Sequence, residues 1–363
     1  MHRSYMRRAL ALAEKGLGDT APNPAVGCVI VRDGEIVGEG YHHAAGEPHA
    51  EVLALRDARD AARGADLYVT LEPCCHHGRT PPCTEAIHKA GIVRVFYACQ
   101  DPDPRVGGQG HQRLVDLGVT VFRGPMQQAA RELNRAYFKH KRTEMPYVTL
   151  KLAMTLDGKV ATRDGSSQWI TGPEAREYVH RMRSHSQMVM VGSGTVHLDD
   201  PRLTARLEGV GGCCDALICD TSGSTPLDAR VLERGDGSRC MVAVGERCDD
   251  ADVARLKEAG AEILQIPSVS EGVDLTALMS HLGEQNVMSI LCEGGPTLAG
   301  GLLEERLVDE IVFFYAPKLL GQGRDPVSDF GVETLADAYE IDVIETRRFG
   351  PDLMIRGRIC SQD

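Results

Sequence analysis

The apolar positions change rhythm several times along the chain, and each change marks an element. Met6, Leu10, Ala13 and Leu17 recur at helical spacing, with Ser4 as the expected N-cap and Gly16 and Gly18 near the stop. Pro22-Asn23-Pro24 enters an apolar run over 26–31, and Asp33-Gly34 turns the chain into a return strand beginning at Ile36. A helix is predicted over 50–62, stopped by Gly64, and a short strand over 67–71, stopped by Glu72-Pro73. Residues 84–90 read as a helix ended by Gly91, 93–98 as a strand, 111–117 as a helix and 119–122 as a strand. One polar helix is expected over 126–139. Helices and strands alternating in this way imply a sheet covered by helices on its faces.

A charged stretch from Lys139 to a proline at 146 interrupts the pattern and places a boundary between two domains, 1–145 and 146–363. The second half restarts with a strand over 147–153 and the turn Leu156-Asp157-Gly158. Thr171-Gly172-Pro173-Glu174 reads as a capping box with proline at the first helical position, opening a helix to about Arg183. Short apolar strands follow over 188–191, 216–219, 241–244, 262–266 and 289–292, with helices such as 252–259 between some of them. Residues 311–316 and the tail over 339–359 add strands expected to be antiparallel.

Length and composition narrow the class. The 363 residues suit two domains, and 42% hydrophobic with 25% charged residues leaves room for a real core. A formal charge of −12 weighs against a nucleic-acid partner, because phosphate binding needs a surplus of Lys and Arg. No stretch reads as a signal peptide or a membrane span, so a cytoplasmic protein with no membrane partner is expected. Thiols stay reduced there, and the 12 cysteines are expected as ligands, core residues or free thiols.

His49-Ala50-Glu51, followed by Pro73-Cys74 and then Cys83, carries the chemistry of the first half. One imidazole and two thiolates fill three corners of a tetrahedral zinc site and leave the fourth for water. Glu51 is the expected proton carrier. Residues two apart on a helix point about 200° from each other, so His49 and Glu51 share one ion only if it lies over the helix start. Cys83 is likewise expected ahead of a helix, whose dipole favours thiolate. Two thiolates and a neutral imidazole leave Zn2+ without net charge, so water can lose a proton to Glu51 near neutral pH. Glu51 then serves a ring nitrogen and the departing amine, which is hydrolytic deamination. A structural zinc is the bland alternative, but closed structural sites use four ligands. Cys75 rivals Cys74 as a ligand, and Cys74 is preferred because it follows the proline. His76 and His77 read as loop or substrate groups.

In the second half, Glu293-Gly294-Gly295-Pro296-Thr297-Leu298 follows a strand and opens a helix, so its free amides can hold a phosphate. Val191-Gly192-Ser193-Gly194-Thr195 does the same, and two such loops favour a nucleotide, although neither is the dinucleotide fingerprint. Trp169, the only tryptophan, lies beside a polar stretch and suits a ligand-facing role as well as a core one. Arg183 and Arg206 are either solvated charges or phosphate clamps.

Pro22-Asn23-Pro24-Ala25-Val26-Gly27, Gly46-Glu47-Pro48-His49-Ala50-Glu51 and the run from Glu72 to Cys83 closely resemble the deaminase half of the bifunctional riboflavin-biosynthesis deaminase-reductases. The run from Lys151 to Gly158, Ser167-Gln168-Trp169-Ile170-Thr171, Asp199-Asp200-Pro201-Arg202-Leu203-Thr204 and the Glu293 loop resemble its reductase half. The resemblance implies a cytidine-deaminase-like three-layer α/β/α domain followed by a dihydrofolate-reductase-like α/β domain. It implies one Zn2+ in the first, on His49, Cys74 and Cys83, and NADPH in the second. A small phosphorylated pyrimidine would meet Asn23, His76 and Arg79 in the deaminase. NADPH would lie along Ala153, Trp169, Thr195, Asp199, Thr221 and the loop Gly295, Pro296, Thr297, Leu298, Ala299, Gly300 and Gly301. The reductase substrate would meet Ser167, Arg183, Leu203, Arg206 and Glu293, with Lys151 a candidate for polarising or protonating the sugar oxygen. Two positions depart from the family: Cys75 stands where Ser is usual, and Asp103 where Asn is common. The implied activity is hydrolysis of the 2-amino group of a diaminopyrimidinone phosphate, then reduction of its ribosyl chain to ribityl. Assembly as a homo-oligomer is compatible with this reading. The rivals are a nucleic-acid or nucleoside deaminase with an unrelated second domain, and a zinc-stabilised binding protein.

Overall fold

The computed structural model describes residues 1–76, 81–104, 107–207, 213–269 and 272–360. The chain divides into two compact units, Met1–Glu144 and Met145–Asp363.

The first unit is built on β1 (Gly27–Arg32), β2 (Glu35–Tyr41), β3 (Asp66–Leu71), β4 (Arg94–Cys99) and β5 (Thr120–Arg123), in the sheet order β2-β1-β3-β4-β5. β1 is antiparallel to both neighbours, while β3, β4 and β5 run parallel. Alternation along β1 assigns its side chains to two covered faces. Cys28 and Ile30 pack with Ala50, Ala54 and Ala58 of α2 (Ala50–Ala58), and Gly27 lies against α1 (His2–Ala13). Small residues set both helices close to the sheet. A Cβ on Gly27 would lie 2.0 Å from Ala9 O, and one on Gly40, the partner of Cys28, 2.5 Å from Ala54 N. Fully burying Ile30, Leu67, Val69 and Ile87 contributes about 1.5–3 kcal/mol for each side chain. Helices α3 (Cys83–Ala90) and α4 (Gln109–Asp116) make the crossovers between the parallel strands.

Several local expectations change. α1 begins at His2, so Ser4 lies inside it and donates to Met1 O at 2.6 Å instead of capping. The helix expected over 50–62 is broken at Arg59, whose φ is 50°, and ends in a tighter turn over Arg59–Ala62. The polar helix expected over 126–139 is two, α5 (Gln127–Leu133) and α6 (Arg135–Thr143), interrupted at Asn134. The break has a use: the Asn134 amide accepts from Ala25 N and donates to Ala25 O, both at 2.8 Å, pinning the segment after Pro24.

The second unit carries β6 (Tyr147–Thr155), β7 (Met188–Gly192), β8 (Asp215–Cys219), β9 (Cys240–Gly245), β10 (Glu262–Ile266), β11 (Ser289–Cys292), β12 (Glu310–Ala316), β13 (Ile341–Phe349) and β14 (Asp352–Ile359). Their order is β10-β9-β8-β7-β11-β6-β12-β14-β13, with the first seven parallel and the last two antiparallel. Continuous apolar runs fit strands buried on both faces. Met188 and Met190 face a core shared with α10 (Leu275–Glu284) and α11 (Pro296–Glu304), while Val189 and Val191 face one shared with α9 (Asp250–Glu258). No capping box forms before α7 (Pro173–Ser184): Gly172 is the N-cap, and its N–H donates to Asp352 Oδ2 at 2.6 Å, a partner remote in sequence. Among the described residues no helix is long and apolar enough to cross a membrane.

Candidate active sites

Three sequence-distant positions converge in the first unit. His49 caps the start of α2, Cys83 opens α3, and Cys74 lies three residues beyond the end of β3. His49 Nδ1 is 3.2 Å from Cys83 Sγ and 3.5 Å from Cys74 Sγ, and the three ligand atoms lie within 4.8 Å of one another. Zinc–nitrogen and zinc–sulfur bonds of ordinary length in a tetrahedron put their ligand atoms roughly 3.6 Å apart, so this donor set fits one Zn2+. Cys75 is outside the cluster. The start of α3 turns two amides toward Cys74: Cys83 N to Sγ at 3.5 Å and Thr84 N to O at 3.2 Å. Hydrogen bonds from Cys83 and His49 hold the Cys74 thiol well below its ordinary range, as a metal-ligating thiolate requires.

Glu51 sits in the first turn of α2 and is 4% exposed. Burial, and then the neighbouring Cys74, push its carboxyl up to about 7, the range in which a carboxyl can both take and give a proton. The site opens into a cavity of about 280 Å³ that Asn23, His42, His76, Asp101, Asp103 and Lys141 also line. The Pro48 carbonyl can only accept, so His42 Nδ1, 3.2 Å away, carries the proton. Burial lowers the His42 pKa and keeps the ring neutral, with Nε2 accepting from Asn23 Nδ2 at 3.0 Å. Asn23 Oδ1 is thereby oriented as an acceptor for an N–H of a ligand. Asp101 Oδ1 accepts from Asp103 N at 2.9 Å and from the Tyr137 hydroxyl at 3.0 Å, and burial pushes this carboxyl up to about 6. Lys141 Nζ lies 3.6 Å from Asp103 Oδ2. Arg79 and His77 lie outside the described residues.

Sequence reasoning missed His42, Asp101, Tyr137 and Lys141. The available signal was faint: Tyr137 and Lys141 are one helical turn apart on α6, but nothing local ties that turn to a cysteine loop.

The second unit gathers its polar groups at the carboxyl ends of parallel strands, where open α/β sheets bind ligands. β7 runs into α8 (Ser193–Asp199) and the neighbouring β11 into α11, so the two helix starts lie side by side. A Cβ on Gly295 would stand 3.6 Å from Thr195 Oγ1. Glu293, immediately after β11, is bound by Arg183 through Nε to Oε1 at 2.6 Å and Nη2 to Oε2 at 3.1 Å, with Lys151 Nζ 3.4 Å from Oε2. Burial opposes ionisation of Glu293, but Arg183 and then Lys151 outweigh it and hold the carboxyl at about 2. The remaining arm of Arg183 donates to Thr204 O at 3.2 Å. Arg206, by contrast, has no ion-pair or hydrogen-bond partner among the described residues. Partial burial and the cations Arg183, Arg202 and Arg230 lower its pKa.

The other predicted residues take different positions. Ser167 Oγ donates to Asp199 Oδ1 at 2.7 Å. Trp169 is 63% exposed, with the Arg176 guanidinium 4.7 Å from its ring centre and Lys318 donating to its carbonyl at 2.7 Å. Thr221 O accepts from Gly245 N at 3.0 Å, tying the exits of β8 and β9 together. Ala153 lies on β6 opposite Phe314. In the loop and helix from Gly295, only the first residues stand at the helix mouth. Leu298 and Ala299 are in the core, Gly300 packs on Ser328 and Gly301 on Leu275. Leu203 is 2% exposed.

Comparison with known proteins accounts for both units. Residues 1–99 match the cytidine and deoxycytidylate deaminase zinc-binding region, and residues 146–355 match the RibD C-terminal domain. The riboflavin biosynthesis protein RibD of Escherichia coli (strain K12) is 45% identical over 358 residues, 97% of each chain. A solved structure of Acinetobacter baumannii RibD superposes with a TM-score of 0.89 at 39% identity, covering 99% of both chains. A Thermotoga maritima structure, described as a diaminohydroxyphosphoribosylaminopyrimidine deaminase/5-amino-6-(5-phosphoribosylamino)uracil reductase, gives 0.86 at 34% identity and the same coverage. The architecture is accordingly a cytidine-deaminase-like unit followed by a dihydrofolate-reductase-like one, with residues for zinc and NADPH respectively. The chain belongs to the RibD family, the bifunctional deaminase-reductases of riboflavin biosynthesis.

Proposed function

We propose that Met1–Glu144 removes the 2-amino group of 2,5-diamino-6-(5-phosphoribosylamino)pyrimidin-4(3H)-one by hydrolysis, and that Met145–Asp363 reduces the ribosyl chain of the product to ribityl. His49, Cys74 and Cys83 hold zinc, and Asn23 Oδ1 accepts a hydrogen bond from the donor-rich ring. Zinc, when bound, supplies Lewis-acid activation of water. Glu51 carries the first proton of the attacking water to the ring nitrogen, and then the remaining hydroxyl proton to the amine as it leaves as ammonia. His76 and Arg79 complete the contacts to the phosphorylated sugar.

In the reductase, Thr195, Asp199, Thr221, Trp169, Ala153 and the loop opened by Gly295 bind NADPH, which supplies the hydride. Two helix starts side by side suit its phosphates. Lys151 orients on Glu293 and protonates or polarises the sugar oxygen as hydride arrives at the neighbouring carbon. Arg183 turns Nε, Nη1 and Nη2 to Glu293 and Thr204 and keeps two further N–H groups, so Arg206 and the outer face of Arg183 meet the substrate phosphate, with Ser167 and Leu203 on the walls. No disulfide joins cysteines among the described residues, which supports a cytoplasmic setting.

The observation that carries the deaminase reading is a buried carboxyl beside a three-ligand zinc set with a cavity in front of it. Glu51→Gln tests it. The variant keeps zinc, stops releasing ammonia and still oxidises NADPH when given the deaminated substrate. Ammonia release at the wild-type rate would sink the mechanism.

A further inference from the structure

The segment that carries Cys74 brings a further buried carboxylate to the deaminase cavity. Glu72 is 3% exposed, lies two residues before Cys74 and lines the cavity wall. Its position alone suggests a second proton carrier beside Glu51, but its bonds point elsewhere. Oε2 accepts from Gly108 N at 3.0 Å and Oε1 from His111 N at 2.9 Å, so both oxygens are engaged by the first turn of α4. These are orphan amides of a helix start, where a carboxylate is stabilised by hydrogen bonds and by the helix dipole.

The same turn presses on the next residue of the ligand segment. A Cβ on Gly110 would lie 2.0 Å from Pro73 O and 3.3 Å from Glu72 Cγ, so the backbone of α4 touches the backbone immediately before Cys74. On the sheet side, Glu72 N donates to Cys99 O at 3.0 Å. Beyond the proline, Cys74 O accepts from Thr84 N at the start of α3. The Glu72-Pro73-Cys74 turn is therefore fixed from three directions by β4, α4 and α3, and the α4 contact depends on one side chain and one glycine.

We propose that Glu72 is a positioning residue for the metal site: by clamping the start of α4 it sets the turn that brings Cys74 Sγ to His49 and Cys83. The inference rests on the assignment of those three residues as zinc ligands. Outer partners that orient metal ligands typically account for a roughly 10- to 100-fold difference in metal affinity.

The test is zinc competition with a chromogenic chelator on the full-length chain, comparing wild type, Glu72→Gln, Glu72→Asp and His49→Ala. Glu72→Gln keeps the size of the side chain but can accept through one oxygen only, and it is expected to hold zinc roughly 10- to 100-fold more weakly while far-UV circular dichroism stays native. Wild-type zinc affinity in the folded variant overturns the proposal, whatever happens to thermal stability. Unchanged affinity with loss of ammonia release also overturns it, and makes Glu72 a proton carrier instead. Should Glu72→Gln fail to fold, Glu72→Asp, which keeps the charge and reaches one amide, carries the comparison. His49→Ala reads the ligand assignment separately: if it binds zinc as tightly as wild type, that assignment fails, and the proposal for Glu72 is overturned with it.

Discussion

Glu293→Gln offers a quantitative test of the second unit. The carboxylate is 9% exposed on its side chain and bridges Arg183 and Lys151, themselves 12% and 15% exposed. Moving its pKa from the ordinary 4.5 to about 2 corresponds to about 3 kcal/mol of stability. Breaking a buried ion pair by removing one partner costs about 3–5 kcal/mol, which agrees. The folded pKa is depressed, so the contribution is complete well above pH 4.5 and is lost as pH falls from there through about 2. For a unit of this size, about 3 kcal/mol corresponds to a fall of roughly 6–12 °C in midpoint at neutral pH. Trp169 is the only tryptophan and belongs to the second unit, so its fluorescence follows that transition alone. Thermal melts at neutral pH and near pH 3.5 should show the gap between wild type and variant narrowing by about 1–1.5 kcal/mol on acidification. An unchanged midpoint at neutral pH, or a gap that widens in acid, would refute the ion-pair reasoning.

Three further outcomes are expected. Cys74→Ser should lose zinc by metal analysis of the purified protein, while Cys75→Ser retains it; the reverse would exchange the ligand assignment. Asn23→Ala removes one acceptor from the cavity and should lower deaminase kcat/KM by roughly 5- to 30-fold, or about 1–2 kcal/mol, leaving the reductase rate unchanged. Asn134→Ala leaves the N–H and C=O of Ala25 without their side-chain partner and should destabilise the first unit by about 2–3 kcal/mol in urea melts followed by circular dichroism.

The zinc cluster was legible in the sequence because its chemistry is written in short runs. His49 and Glu51 are two residues apart, and a proline marks Cys74. Alternation and turn residues likewise announced most strands, since Asp33-Gly34 and Gly91 act locally whatever surrounds them. What stayed hidden depends on long-range contacts. Glu293 meets Arg183 across 110 positions and Lys151 across 142, with no pattern linking them. Asn134 looked like one more residue of a polar helix, yet it ends one helix and starts another because Ala25 needs its amide. Thr171 had the spacing of a capping box, but the N-cap is Gly172, one residue later, and its amide is held by a carboxylate from β14. In each case a tertiary partner overrode a local preference.

The central claim is that two sites act in a fixed order on one substrate. A single time course with the diaminopyrimidinone phosphate and NADPH, recording ammonia and NADPH absorbance together, tests it most directly. The account predicts that ammonia appears at the same rate with or without NADPH, and that NADPH oxidation follows it after a lag. NADPH oxidation that precedes ammonia, or ammonia release that requires NADPH, would contradict it.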